Sequence, residues 1–427
     1  MNFAQSFLLV FILLTGVLNL VRIFFYVLAN SKYTLWSKGE GSKDIEFNIS
    51  NRHLFPDILV VVPAYNEEKT ISRTIESLNF VNYPKNKLRI LVVNDGSKDA
   101  TSAVVAGQIY YNGPMNFNFQ LIDKPNGGKA DALNCGIKST DFGELITCLD
   151  ADSTVDKNFF INMSKYFKYK SVASAAANVQ ISHNNTLIGL LQMFEYLISY
   201  QMKKSQTYFN IEYIVGGIGS TFRRTAVEAV GYYDTNTMTE DIDLTVKIIN
   251  KFGNKKAGII YAHDAVAHSQ PVSKFKELIS QRFRWKFGRM QTLYKNKNMI
   301  MNFNKKYDRR LTIFAIPFAI FGELTLSIEL LIYLSIIFYS LTIGGFGGLV
   351  YPIFLSLWYA WYNIWYSEFT PKKDKLLLSV SAPIMYFGMG FLMIVEFIAL
   401  IKSLIRLPFI KKSISNDKVS WQSPSRN

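Results

Sequence analysis

Asp150 and Asp152 close an apolar run as D-A-D. Two carboxylates one residue apart at a strand end can hold a divalent cation together with a phosphorylated ligand. Mg2+ and Mn2+ favour oxygen donors and leave coordination positions for substrate phosphates. A solvated acidic turn would carry the same letters. Asp95 ends another apolar run in N-D-G-S. Its carboxylate could accept a hydrogen bond from a nucleotide base, or simply open an Asp-Gly turn. Asn126-Gly127-Gly128-Lys129 lacks the G-x-x-x-x-G-K-[ST] spacing of a phosphate loop. A lysine at a helix N-terminus can still meet a diphosphate, and a glycine turn with a surface lysine is the plainer account. Thr239-Glu240-Asp241 sets carboxylates before the amphipathic run Ile242–Lys251. Either these residues cap the helix, or Asp241 is a general base that takes the proton of an attacking sugar hydroxyl. In Gln281-Arg282-Phe283-Arg284-Trp285, Gln281 and Trp285 share a helix face, with Arg284 adjacent. Trp stacks on sugar rings and Arg pairs with diphosphates. A membrane-surface helix would show a similar basic pattern.

The surrounding pattern must place these groups. Ile58–Val62, Arg89–Val93, Phe117–Ile122 and Glu144–Leu149 read as strands. Glu67–Leu78, Lys98–Tyr110 and Gly128–Lys138 read as the helices between them. Such alternation predicts a mostly parallel, doubly wound α/β sheet. Ligands of such sheets bind outside the carboxyl ends of the strands. Asn66, Asp95 and the Asp150–Asp152 cluster all fall there.

The chain has 427 residues, 49% hydrophobic and only 19% charged, below the ~25% of ordinary soluble domains. That excludes disordered, collagen-like and disulfide-stapled chains. Its 2 cysteines form no C-x-x-C pair, which argues against a thiolate zinc site. The net charge of +15 suits nucleic acid, anionic lipid or a phosphorylated substrate. Apolar segments decide for membrane and substrate, and against nucleic acid. Phe7–Leu28 is long enough to span a bilayer. Arg22, Lys32, Lys38 and Lys43 at or beyond its far end favour a retained anchor over a cleaved signal, with the following segment in the cytosol. Leu311–Leu341 divides into an interfacial part and a span from Glu323. Leu349–Tyr366 and Leu376–Leu400 follow. Three crossings from a cytosolic middle would leave the tail outside, whereas Lys402, Arg406, Lys411 and Lys412 argue for inside. A re-entrant hairpin in Leu376–Leu400, broken at Pro383, Gly388 and Gly390, would reconcile the two. The aromatic stripe Trp358, Trp361, Tyr362, Trp365 and Tyr366 suits either a sugar-stacking wall or a membrane-interface belt. Glu323, Glu329 and Glu396 lie in apolar segments, where a carboxylate lines a cavity or pairs with a cation.

Taken in order, VVVPAYNEE, VVNDGSKDAT, NGGKADALNCGIK, CLDADSTVD, GYYDTNTMTEDIDLTVKI and QRFRW resemble the processive family-2 glycosyltransferases of membranes. These include the cellulose, chitin and hyaluronan synthases and, nearest in the phrase Gly231–Asp243 and the ending Trp421–Arg426, the poly-β-1,6-N-acetylglucosamine synthases. The resemblance covers Leu59 to Thr292. It implies a GT-A fold, a UDP-sugar donor, Mg2+ or Mn2+, inversion at the anomeric carbon, and export of a growing polysaccharide through the protein's own helices. By motif it assigns Asp241 as base with Glu240 beside it. Asp95 meets the uridine, with Tyr65 and Glu67 near, and Lys129 is a further nucleotide contact. Asp150 and Asp152 serve diphosphate and metal, and Gln281, Arg284 and Trp285 border the acceptor and diphosphate. The chain departs from the poly-N-acetylglucosamine group at Lys286-Phe287-Gly288-Arg289 after the Q-x-x-R-W motif and at Gly216-Gly217. The expected organisation is a transmembrane anchor (1–30), a cytosolic GT-A domain (31–270), interfacial helices (271–310), a transmembrane channel region (311–401) and a basic tail (402–427). That describes a multi-pass plasma-membrane hexosyltransferase. Transfer of one sugar to a lipid acceptor, a need for an accessory membrane subunit, and a UDP-sugar-sensing transporter stay open at this point.

Overall fold

The structure is a computed structural model that describes residues 17, 20–21, 23–35, 37, 55–111, 118–182, 186–342 and 347–416. The first strand shows why the domain forms. In β1 (Ile58–Ala64) every residue is buried, the pattern of a strand covered on both faces. Ile58, Val60 and Val62 enter one core with Ile71, Ile75, Leu78, Phe159 and Phe160. Leu59 and Val61 enter a second core with Leu133, Ile137, Leu244 and Ile248. Continuous Ile/Leu/Val is therefore required rather than alternation, since successive side chains point to opposite faces.

The chain continues through α1 (Ile71–Asn79), β2 (Leu88–Asp95), α2 (Thr101–Tyr111), β3 (Asn118–Lys124), α3 (Lys129–Lys138) and β4 (Leu145–Cys148). Then come β5 (Thr154–Val155), α4 (Phe159–Tyr166), β6 (Val172–Ile181), α5 (Leu187–Tyr208), β7 (Ser220–Arg223), α6 (Arg224–Ala229), α7 (Glu240–Phe252) and β8 (Gly258–Ser269). The eight strands form one sheet in the order β3-β2-β1-β4-β7-β6-β8-β5. Pairings β1–β2, β1–β4, β2–β3 and β6–β8 are parallel, while β7 runs antiparallel to β4 and β6. The winding reverses between β1 and β4, which opens a crevice at their carboxyl ends. The expected strands and helices are present, although α1 begins at Ile71 rather than Glu67.

Beyond the sheet, α8 (Phe275–Lys295) leads to α9 (Ile316–Thr342), α10 (Gly347–Tyr366), α11 (Lys372–Arg406) and α12 (Ile410–Asn416). Leu191, Phe194, Leu278, Ile364, Met385 and Val395 join α5, α8, α10 and α11 in a third core. A π-helical turn, Arg310–Ala315, precedes α9. Segments Arg310–Glu323 and Thr325–Phe338 meet at a 53° bend, at the boundary where the sequence divides an interfacial part from a span. Thr325 Oγ1 donates to the Gly322 carbonyl at 3.2 Å, a side-chain intrusion of the kind that accompanies helix kinks. The re-entrant hairpin expected in Leu376–Leu400 is not formed, because α11 continues as one helix of 35 residues through Pro383. Among the described residues one helix, Lys372–Ser415, is long and apolar enough to cross a membrane, and the bent pair passes the same test jointly. Most of Phe7–Leu28 and the ending Trp421–Arg426 lie outside the described residues. The aromatic stripe divides. Trp358, Trp361 and Trp365 are exposed, while the Tyr366 hydroxyl donates to Thr34 Oγ1 of the N-terminal helix at 2.8 Å.

Candidate active site

At the crevice between β1 and β4, Pro63, Ala64, Tyr65, Glu67, Asp95, Lys129, Asp150, Ala151 and Asp152 line a cleft of ≈ 370 Å³. The strands deliver these groups directly. Tyr65 follows β1, Asp95 ends β2, and the D-A-D segment follows β4. Behind them the turns interlock. Asn66 adopts a left-handed φ of 56°, its Oδ1 accepts from the Lys98 amide at 2.8 Å, and its own amide donates to Ser97 Oγ at 2.9 Å.

Asp95 is buried. Oδ1 accepts from Lys124 Nζ at 2.6 Å and from the Gly127 amide at 2.9 Å, and Oδ2 accepts from the Gly128 amide at 2.8 Å. Its carboxylate thus clasps the Asn-Gly-Gly loop to β2. An ionised carboxylate offers about four acceptor positions, so the clasp leaves capacity for a ligand N–H. Gly96 at φ +71° would place a Cβ only 2.7 Å from the Asn126 amide, so this turn requires glycine.

Lys129 begins α3 and joins the acidic motifs. Its Nζ lies 2.7 Å from Asp150 Oδ1 and 3.3 Å from Glu240 Oε1. Burial alone would lower the pKa of this ammonium. Asp150, Glu240 and Asp241 outweigh burial and hold it well above the ordinary lysine value. Asp241 behaves oppositely. Burial, reinforced by Glu240, raises its pKa to about 7 against the lowering by Lys129 and by the Ile242 amide, which donates to it at 2.8 Å. A carboxyl so poised can take a proton near neutrality. Gly217 backs this cluster, where a Cβ would stand 3.2 Å from Lys129 Nζ and 3.4 Å from Asp241 Oδ2.

Helix capping does not explain Thr239-Glu240-Asp241. Thr239 occupies the N-cap of α7 but makes no side-chain capping bond. Among the described residues its buried Oγ1 has no partner. It faces α8 instead, where a Cβ on Gly288 would stand 2.4 Å from Thr239 Oγ1. The Met238 amide also donates to Gln291 Oε1 on α8 at 3.0 Å. The helix carrying Gln281, Arg284 and Trp285 is therefore docked on the loop that leads into Asp241 in the first turn of α7. Those three side chains are not among the residues lining the cleft. The buried Gln281 Oε1 has no hydrogen-bond partner among the described residues.

One group of residues was not anticipated as a unit. Arg282 is buried, donates to Glu195 at 2.9 and 2.6 Å, approaches Glu396 at 3.4 Å, and lies 4.5 Å from the Trp285 ring centroid. Lys286 joins Glu323 to Glu396, at 2.8 Å from the latter, and Arg289 pairs with Glu323 at 2.7 Å. Lys286 and Arg289 are two of the positions at which the sequence departs from the poly-N-acetylglucosamine group. The signal available was the carboxylates in apolar segments, of which Glu323 and Glu396 do pair with cations, while Glu329 is exposed.

Among the described residues, no cluster of three or more His, Cys, Asp or Glu could cage a metal by itself. Asp150 and Asp152 do fit a cation of the Mg2+ or Mn2+ type, which is commonly held by one or two carboxylates plus substrate phosphate.

Poly-β-1,6-N-acetyl-D-glucosamine synthase of Staphylococcus epidermidis is 30% identical over 242 residues, 56% of this chain and 56% of that one. The Staphylococcus aureus protein of the same name is 32% identical over 230 residues, 53% and 52% of the two chains. The chain thus spans about half the length of the curated relatives it matches. A mannosyltransferase from Pyrobaculum calidifontis, solved with GDP-Man and Mn2+, shares the fold. Its TM-score is 0.54 over 90% of this chain and 98% of that one, at 17% identity. A profile described as glycosyltransferase like family 2 matches residues 56–288, more than half of the sequence, and the chain belongs to that family.

Proposed function

We propose that this chain is a membrane-bound inverting glycosyltransferase that adds N-acetylglucosamine from UDP-N-acetylglucosamine to a growing polysaccharide. The observation that carries this is the meeting of D-A-D and T-E-D carboxylates around Lys129 at the switch point of the sheet. The choice of sugar is supported by the two staphylococcal relatives.

In this reading Tyr65, Glu67 and Asp95 receive the uridine side of the donor. Asp150 and Lys129 face the diphosphate, and Asp152 with Asp150 would hold Mg2+ or Mn2+. The cation supplies charge to offset the departing diphosphate. Asp241 takes the proton of the acceptor hydroxyl. The freed oxygen pair forms the new bond to the anomeric carbon as the carbon–oxygen bond to the diphosphate breaks, and UDP leaves with that electron pair. Glu240 keeps Asp241 basic enough to accept the proton. Gln281, Arg284 and Trp285 border the acceptor. The apolar helices α9–α11 hold the enzyme in the plasma membrane with its catalytic domain in the cytosol, and α9 and α10 accompany the product outward.

Membranes containing the protein are incubated with a panel of UDP-sugars and Mg2+ or Mn2+. UDP release is followed, and any polymer is digested with linkage-specific hydrolases. UDP-N-acetylglucosamine is expected to be turned over, chelation to stop it, and Asp241→Asn to lower it by about 10²-fold or more while UDP binding persists. Release of UDP from no member of the panel would overturn the proposal, and wild-type turnover by Asp241→Asn would overturn the base assignment.

A further inference from the structure

The end of the described chain reaches the catalytic loop. Gln291 Nε2 on α8 donates to Ser413 Oγ on α12 at 3.0 Å. The other end of the same amide, Oε1, accepts from the backbone of Met238, which immediately precedes Thr239-Glu240-Asp241. A second link runs from Asn236 Nδ2 to the Ile414 carbonyl. Gln291 is 1% exposed and Ile410 is 5% exposed, so the inner side of the tail is seated on the domain.

The outer side has a different composition. Ile405 and Phe409 are 67% and 64% exposed, and Lys402, Lys411 and Lys412 are exposed around them, while Arg406 turns inward over the Phe283 ring of α8. Large apolar side chains ringed by cations suit the boundary between acidic headgroups and acyl chains. Each basic residue there adds to the attraction. A soluble anion would answer the lysines but would leave Phe409 and Ile405 in water, so the pattern favours a lipid surface.

We propose that residues 402–416 dock on an anionic bilayer surface, and that this docking holds the loop 236–241 in its catalytic position through Gln291 and Asn236. The lipid composition of the membrane then sets how much of the enzyme has an assembled base. The catalytic part of this inference rests on the transferase function proposed above; the docking and the ordering of the loop do not.

The full-length protein is reconstituted into vesicles of phosphatidylcholine alone, or with phosphatidylglycerol as one third of the lipid. UDP release and amide hydrogen exchange over residues 236–241 are measured side by side. Anionic vesicles are expected to give several-fold faster release and slower exchange, both differences shrinking in high salt. Lys402→Ala/Lys411→Ala/Lys412→Ala is expected to behave in both vesicles as the wild type does in phosphatidylcholine. Ser413→Ala is expected to weaken the lipid-dependent slowing of exchange while its lysines remain. Equal exchange in the two lipids, or an undiminished response from the triple variant, overturns the inference. Reproduction of the effect by inorganic phosphate on phosphatidylcholine vesicles overturns its lipid assignment. Absence of UDP release with the exchange difference intact would instead sink the transferase function and uphold the docking.

Discussion

Asp241 and Glu240 are adjacent, yet the fold sets them different tasks. Burial and the neighbouring Glu240 charge hold Asp241 near a pKa of about 7, so turnover should climb as pH rises through that value and the carboxylate forms. Glu240→Gln removes one raising influence, and the acid limb of a pH–rate profile should move to lower pH. An unmoved limb would mean that Asp241 does not limit the rate. Stability has the opposite sign. A carboxyl with a raised folded pKa binds its proton more tightly in the fold, so the stability it contributes falls as pH rises from about 4, the ordinary aspartate value, to about 7. Asp241→Asn is therefore expected to raise the thermal midpoint at pH 8 while abolishing transfer. The positions of Asp95, Asp150 and Asp152 were legible because apolar runs end where they begin. The Lys129–Glu240 contact was not, since nothing local to either residue specifies a partner so distant in the chain. Nor was the failure of Thr239 to cap α7, where its side chain stands against Gly288 on another element.

Helix α8 joins the chemistry to the apolar helices, and its sequence explains how. Gly288 allows the close approach to Thr239, while Arg282, Lys286 and Arg289 meet Glu195, Glu323 and Glu396 from three other helices. Gly288→Ala must push α8 from the T-E-D loop. Overpacking of this kind costs about 1–3 kcal/mol, and turnover should fall more than UDP affinity, because the cleft lining lies elsewhere. Arg282→Ala leaves two carboxylates facing a vacated site. Breaking a buried pair from one side costs about 3–5 kcal/mol, readable as a lowered midpoint in detergent. Replacing Arg282, Glu195 and Glu396 together with apolar residues of similar volume should recover most of that loss. If the single and triple variants are equally unstable, packing rather than charge pairing holds α8. The helix itself was legible from its amphipathic pattern, but its ion pairs needed the tertiary placement of α5, α9 and α11.

At the scale of the molecule, the contacts of α11 bear on which side of a membrane the tail would occupy. Near its start, Trp361 Nε1 on α10 donates to the Ser379 carbonyl at 3.1 Å, and the preceding loop places Phe369 5.8 Å from His263 of the sheet domain. Further on, Phe391 packs 5.4 Å from Phe275 and Glu396 meets Arg282 and Lys286. Beyond its end, α12 bonds to Gln291 and Asn236. A helix of 35 residues is about 52 Å long at 1.5 Å per residue, ample for a ~30 Å hydrocarbon core. Because α11 packs on α5 and α8 in one core and the tail beyond it is seated on the domain, we propose that it runs along the domain instead of carrying the chain across. Hydropathy alone reads it as a third crossing, because an apolar stripe facing lipid and an apolar face packed on protein add up to the same score. On that proposal α9 and α10 form a paired crossing and the basic tail returns to the cytosolic side, in keeping with its lysines. Cysteines placed at Ser415 and at Lys98, both exposed, in a Cys135→Ser background should then react with a membrane-impermeant maleimide in inverted vesicles and stay silent on intact cells. Labelling of the two positions from opposite sides would show that α11 crosses the bilayer and would break the link from the tail to the T-E-D loop.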